Sequence, residues 1–341
     1  MKQELLPNEF IQQAQSGVII DVRTPAEYAQ GHIVGALNLP LFSDKERVVV
    51  GTLYVKQGKD IAVEKGLKFV GPKMADFVRT ARKMAAGKTI YIHCWRGGMR
   101  SGSMAWLLRT AGLPVVLLIG GYKAYRNSFI EMLAQPLDLK IIGGPTGCGK
   151  TDILKALIEL GEQVLDIEGL AHHKGSAFGA LGQLEQPTTE QFINNIHHTF
   201  RSFDLSKPIW CEGESFSTGK VSMPQQLFDL MQKANFVYLT IPTACRIERI
   251  LKEYGEFPIP SLIDAFKRIE RRLGCDKTKL GIEYLNDGNV SAAIEIALKY
   301  YDKGYGKSYS ERWNITHILS AECDNPMETA TDIVELMKDK K

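Results

Sequence analysis

The chain has 341 residues, 44% of them hydrophobic and 24% charged. That balance excludes a disordered tail, a collagen-like fibre and a disulfide-stapled miniprotein, and the length suggests about two domains at roughly 150 residues each. The net charge of +3 is split unevenly: residues 1–135 carry 18 Lys+Arg against 10 Asp+Glu, and residues 136–341 carry 24 against 29. Such asymmetry hints at a polyanionic partner that the total conceals. The six cysteines, at 94, 148, 211, 245, 275 and 323, form no C-x-x-C pair, so neither disulfides nor structural zinc is expected. The opening MKQELLPNEF lacks an apolar h-region, and apolar runs such as residues 115–119 are far too short to span a bilayer. A cytoplasmic protein in a reducing compartment, away from any membrane, is expected.

Both halves alternate short β-rich runs with helical patterns, the signature of an α/β architecture. Residues 18–22 (VIIDV) read as a strand. Thr24 then caps a helix over 24–30, with Pro25 at its first position and Glu27 completing a capping box. Residues 89–93 (TIYIH) are the next strand, ending at Cys94; a helix from Ser101 to 110, a buried strand over 115–119 and a helix over 122–134 follow. Pro136 marks a break, giving domains over 1–135 and 136–341. The second begins with a strand at 139–142, a glycine-rich turn at 143–149 and a helix at 151–160. Further strands are expected at 163–166, 208–211, 236–241 and 316–319.

Gly144-Pro145-Thr146-Gly147-Cys148-Gly149-Lys150-Thr151 matches G-x-x-x-x-G-K-[ST] between a strand and a helix. Glycines let backbone N–H groups surround phosphate oxygens, and the following helix adds its positive end. Lys150 suits the outer phosphates, and the Thr151 hydroxyl suits Mg²⁺, a possible companion ion. Cys148 reads as a small packing residue. Asp166 and Glu212, at strand ends, are candidates for acid/base work or metal contact. No tightly bound cofactor is expected.

His93-Cys94-Trp95-Arg96-Gly97-Gly98-Met99-Arg100-Ser101 places a cysteine between a strand and a helix. Loop N–H groups and a helix N-terminus favour a thiolate, the nucleophilic form. Arg96 and Arg100 could hold an anion, and Gly97 and Gly98 permit a tight turn.

The stretch Asp21-Val22-Arg23-Thr24-Pro25-Ala26-Glu27-Tyr28, then Gly31-His32-Ile33 and residues 35–40 (GALNLP), is similar to the rhodanese pattern. Cys94 falls at that family's sulfur-carrying cysteine, and residues 120–125 (GGYKAY) resemble its closing glycine segment. Cys94 to Arg100 spans seven residues, one more than a common rhodanese loop, and also reads as a cysteine-phosphatase motif. A tetrahedral phosphorus oxyanion is therefore a candidate substrate. With the phosphate loop added, the chain resembles the bacterial tRNA 2-selenouridine synthase family. That resemblance implies a rhodanese-like domain followed by a P-loop, NTPase/kinase-like, parallel-sheet domain. It implies replacement of sulfur by selenium at C2 of a wobble 2-thiouridine in tRNA, with selenophosphate as donor and an S-geranyl intermediate made from geranyl diphosphate. Residues 94–100 would bind selenophosphate, with Cys94 forming a perselenide or the loop only holding the donor for direct attack on tRNA. Residues 144–151 would cradle the diphosphate. Read from the residues alone, a sulfurtransferase or cysteine phosphatase with a nucleotide-binding regulatory domain stands as the alternative.

A tRNA substrate calls for basic and aromatic surface. Arg79, Arg82, Lys83 and Lys88 cluster near one helix end. Lys267, Arg268, Arg271 and Arg272 could contact tRNA or close as a lid over the diphosphate. Tyr300, Tyr301, Tyr305, Lys307, Tyr309, Arg312 and Trp313 interleave stacking and phosphate-binding types. The pairs His172–His173 and His197–His198 do not share a helix face and are poor metal sites. Phe178, Leu181, Phe192, Ile193, Phe200 and Phe216 are expected in the core.

Overall fold

Ile90–His93 and Val115–Leu118 bury every side chain, so the sheet they build has to be covered on both faces. The computed structural model describes residues 3–321 and 325–338, the side chains of 304–312 excepted. It divides into two compact units, Met1–Gln135 and Pro136–Lys341.

The first unit runs β1 (Glu4–Leu5), α1 (Pro7–Ala14), β2 (Val18–Asp21), α2 (Pro25–Gln30), β3 (Leu37–Asn38), α3 (Asp44–Gln57), α4 (Lys59–Val70), a 3₁₀ turn (Gly71–Lys73), α5 (Met74–Ala85), β4 (Ile90–His93), α6 (Met99–Thr110), β5 (Val115–Leu118) and α7 (Gly121–Leu133). Its sheet is parallel throughout, in the order β1-β5-β4-β2-β3. The period-2 alternation of strand side chains sorts the core. Ile90, Ile92 and Leu117 pack with Phe77, Ala81, Met104 and Leu108 from α5 and α6. Tyr91, Val116 and Leu118 pack on the other face with Phe10, Tyr122 and Tyr125 from α1 and α7. The α2 capping box forms as its sequence dictates: Thr24 accepts from the Glu27 N–H and Glu27 from the Thr24 N–H. Between residues 30 and 89 only a helix end near Arg79–Lys88 was expected, where the structure has β3 and three helices. The reason for α3 is visible in its burial: no residue of it is fully buried, so no 3.6-residue apolar stripe announces it.

The second unit runs β6 (Leu139–Gly143), α8 (Lys150–Glu159), β7 (Gln163–Leu165), α9 (Ile167–Ala171), α10 (Thr189–Phe200), β8 (Ile209–Glu212), β9 (Ser217–Thr218), β10 (Val221–Ser222), α11 (Gln225–Lys233), β11 (Asn235–Thr240), α12 (Thr243–Tyr254), α13 (Ile259–Leu273), α14 (Cys275–Asn286), α15 (Val290–Arg312), β12 (Ile315–Ser320) and α16 (Pro326–Lys338). The main sheet is parallel, ordered β12-β11-β6-β8-β7; β9 and β10 form a separate antiparallel pair. Ile142, Trp210, Val237 and Leu239 pack against α8 and α16. A second apolar cluster, with Tyr254, Leu262, Phe266, Leu285, Ala293 and Ala297, joins α12 to α15 as a helical cap. Among the described residues no helix is long and apolar enough to cross a membrane.

Two boundaries differ from expectation. β4 ends at His93, so Cys94 is the first loop residue, and α6 starts at Met99 rather than Ser101. Met99 and Arg100 therefore ride the first helical turn, which Gly98 opens as N-cap.

Candidate functional site

β4 lies between β2 and β5 and delivers Cys94 to the carboxyl edge of the sheet, where parallel α/β folds place their ligands. The loop is tight because glycine backbones touch. Gly97 and Gly121 both have positive φ, at +67° and +61°. A Cβ on Gly121 would overlap the Gly97 nitrogen and lie 2.5 Å from the Cys94 carbonyl oxygen. That closeness lets the Tyr122 N–H donate to Cys94 O at 2.9 Å and the Lys123 N–H to Trp95 O at 3.0 Å. The start of α7 thus fixes the loop's shape. The backbone N–H groups of Trp95, Arg96, Gly97 and Gly98 donate to no described residue. With the N-terminus of α6 they form an anion cradle.

Cys94 is 3% exposed, and the Ser101 hydroxyl donates to its sulfur at 3.1 Å. Arg96 is exposed and has no ion-pair partner among the described residues. Arg100 differs from expectation: its guanidinium forks onto Glu27, Nη1 to Oε2 at 2.6 Å and Nη2 to Oε1 at 3.2 Å. Burial alone would raise the Glu27 carboxyl, but the hydrogen bonds from Arg100 and the Thr24 N–H outweigh it and hold the group below its ordinary range. One carboxylate therefore caps α2 and tethers the loop's last arginine, while Arg96 is exposed. Beneath the loop, Arg23 is buried, bonds Asp21 through Nε and Nη2 at 2.9 and 2.7 Å, and stacks 3.9 Å over the Tyr122 ring. Trp95 tilts against the same ring at 5.7 Å, so it serves as a wall and its backbone serves the cradle. Met99 is exposed.

In the second unit, β6 runs into the phosphate loop at the sheet centre. Gly147 and Gly149 hold φ of +80° and +87°, and α8 begins at Lys150. Two arginines of α12 brace the loop from behind. Arg246 donates through Nε to Thr146 O at 2.8 Å and forks onto Asp302 at 3.0 and 2.7 Å; Arg249 donates to Gly147 O at 3.1 Å. Cys148 is fully buried in the apolar cluster beside Ile142, as expected of a packing residue.

The loop opens on a cavity of about 410 Å³. It is lined by Thr146, Gly147, Gly149, Lys150 and Thr151 of the loop and by side chains of the helical cap, apolar ones such as Leu262, Phe266, Leu285, Ala293 and Ala297 together with Tyr254 and Tyr301. Glu168 and Glu214 also line it. Their carboxyls hydrogen-bond each other, which requires a shared proton. Burial first, then the neighbouring Glu214, pushes Glu168 up to about 8; burial raises Glu214 as well, against the pull of Lys150.

Asp166 and Glu212 do not line the cavity. Asp166 caps α9 through the Gly169 N–H at 2.7 Å, and Glu212, 1% exposed, takes the Glu168 N–H at 2.6 Å. Both therefore support the turn that carries Glu168. Sequence reasoning picked these supports and missed Glu168 and Glu214, although both stand at i+2 in Asp-x-Glu and Glu-x-Glu. Lys267, Arg268, Arg271 and Arg272 lie on the exposed face of α13, which gives the cavity Leu262 and Phe266 instead. A lid made of those four is not what the structure has; Lys174 and Arg249 line the cavity. Phe192 and Phe200 are core, but Phe178 lines the cavity. Trp313 packs on Phe228 and Phe236 rather than standing free to stack. The side chains of Tyr305, Lys307, Tyr309 and Arg312, and Cys323, lie outside the described residues. Among the described residues no group of three or more His, Cys, Asp or Glu could hold a metal.

Comparison with known proteins bears on both loops at once. Residues 6–128 match the model of the rhodanese-like domain, and residues 137–321 match that of the tRNA 2-selenouridine synthase AAA domain. The tRNA 2-selenouridine synthase of Bordetella bronchiseptica is 38% identical over 331 residues, covering 84% of this chain and 87% of that protein. The chain belongs to the tRNA 2-selenouridine synthase family. The Nitrosomonas europaea synthase is 35% identical over 250 residues, 69% of this chain and 63% of its own length, so that match spans less than two thirds of the relative. The Bdellovibrio bacteriovorus synthase is 36% identical over 265 residues, 74% of this chain and 68% of its own. As a member of the family, the chain joins an N-terminal rhodanese-like domain to a C-terminal P-loop domain with a parallel sheet. The cysteine loop falls within the first matched region and the phosphate loop within the second.

Proposed function

We propose that this chain is a tRNA 2-selenouridine synthase that works in two stages, one at each loop. The observation that carries this reading is the mixed lining of the cavity: a phosphate loop with Lys150 shares it with apolar side chains of the helical cap. The apolar side chains that the helical cap adds to the cavity suit a diphosphate with a hydrocarbon tail. Geranyl diphosphate is such a molecule. Alkylating the thiocarbonyl sulfur at C2 converts a poor leaving group into a thiolate that can depart, so two easier steps replace one difficult step. Residues 144–151 hold the diphosphate as it accepts the electron pair of the breaking C–O bond. Selenophosphate, a tetrahedral anion, then fits the cradle of residues 94–100. The tRNA carries a wobble 2-thiouridine, and the exposed cations of α13 are candidates for its backbone.

The test is mass spectrometry of tRNA nucleosides after incubation of tRNA with the chain and each donor. Geranyl diphosphate alone yields S-geranyl-2-thiouridine; adding selenophosphate yields 2-selenouridine. Unchanged 2-thiouridine with both donors overturns the proposal.

The carboxyl pair makes diphosphate binding depend on pH. Below about 8 Glu168 keeps its proton; above it, Glu168 ionises and its charge repels a diphosphate. Inorganic diphosphate is therefore expected to bind about tenfold more weakly at about pH 9 than at about pH 7, measured by calorimetry. A Glu214→Gln chain should flatten that dependence.

A further inference from the structure

Electron counting decides what Cys94 can do with selenophosphate. Selenium bound to phosphorus there is already fully reduced. For a cysteine sulfur to capture it as a perselenide, selenium has to lose two electrons, and neither loop holds an oxidant. Attack by selenium on C2 of the S-geranyl uridine needs none, but it leaves phosphorus attached to the new selenium. Some group has to take that phosphoryl away.

We infer that Cys94 is the phosphoryl acceptor: its sulfur attacks phosphorus, not selenium, and the selenium leaves with the uridine. The inference rests on the reading that selenophosphate is the donor and that selenium attacks carbon first. The balance is complete. Selenium attacks C2, the C2–Se bond forms, and the C2–S bond breaks with its pair on geranylthiolate, which takes a proton from water. The Cys94 thiolate then attacks phosphorus; the S–P bond forms, and the P–Se bond breaks with its pair on selenium, now conjugated with the ring. Water attacks the phosphocysteine, the S–P bond breaks with its pair on sulfur, and phosphate departs. Nothing is oxidised or reduced.

The geometry suits phosphorus. The loop sets four backbone N–H groups, without partners among the described residues, in the turn that follows the sulfur, enough donors for the equatorial oxygens of a phosphoryl group in flight. Arg96 adds a cation that no carboxylate occupies, while Glu27 keeps Arg100 in register beside it. The Ser101 hydroxyl, 3.1 Å from the sulfur, donates to the thiolate that departs when water cleaves the S–P bond.

The experiment uses the full chain, tRNA carrying S-geranyl-2-thiouridine, and selenophosphate labelled separately with phosphorus-32 and selenium-75, denatured within the first turnover. The expected result is phosphorus on Cys94, up to one per chain, with selenium only in the tRNA. In Ser101→Ala the phosphorus label is expected to decay about tenfold more slowly, the size of one hydrogen bond lost in the hydrolytic transition state. Selenium on Cys94 without phosphorus overturns the inference, as does 2-selenouridine formed in the first turnover with no phosphoprotein. Both readouts are on the wild-type chain, so a misfolded variant does not blunt them. If wild-type protein forms no 2-selenouridine at all, the donor reading falls and takes this inference with it; if it forms 2-selenouridine without phosphocysteine, only the inference falls.

Discussion

A Cys94→Ser chain is expected to make S-geranyl-2-thiouridine at the wild-type rate and to lose 2-selenouridine formation by about 10³-fold or more. The substitution is nearly isosteric, and the groups that shape the loop do not involve the side chain. The Tyr122 and Lys123 N–H groups bond carbonyls of the loop backbone, and the glycine contacts are backbone to backbone. The cradle therefore survives and still binds an anion, while the nucleophile is gone. The split between the two activities is the sensitive readout, because the cavity proposed for geranyl diphosphate is lined by residues of the second unit alone. Nucleoside mass spectrometry with each donor supplies it. Equal loss of both activities would show that the loops do not divide the chemistry. Unimpaired selenation would show that the sulfur does none of it.

Lys150→Ala is expected to have the opposite signature: geranyl transfer falls about 10²- to 10³-fold, the usual effect of removing one donor to developing negative charge. Selenation of tRNA that is already geranylated is expected to continue. Two effects act in the same direction. The ammonium that meets the leaving diphosphate is lost. Lys150 also draws Glu168 and Glu214 toward ionisation against their burial, so its removal leaves the carboxyl pair protonated to higher pH. The descending limb of the pH–rate profile should move upward in the variant. Supplying S-geranyl tRNA and selenophosphate checks the second half of the prediction, and failure of that step would argue that the phosphate loop serves selenation as well.

Much of this protein was legible before folding was considered. Short-range chemistry wrote the Thr24–Glu27 capping box, the two glycine-rich turns and the seven-residue spacing from Cys94 to Arg100, because each depends on neighbours within one or two turns of chain. The continuous apolar run of β5 was likewise readable as a buried strand, since such a run is local. The helices between β3 and β4 were not, because α3 buries no residue fully and so shows no stripe.

The sites divide along the same line. Sequence alone determined that a cysteine and a phosphate loop were present and which residues composed them. Only the tertiary structure decided that Arg100 is tethered by Glu27, 73 positions away, while Arg96 is exposed. Only it replaced Asp166 and Glu212 by Glu168 and Glu214 at the cavity, and the basic stretch of α13 by that helix's apolar side. The physical reason is distance along the chain. A cavity is made by residues that share no local pattern, brought together from the phosphate loop, α9, the end of β8 and the helical cap, and the burial and charge that set their chemistry exist only once those segments have met.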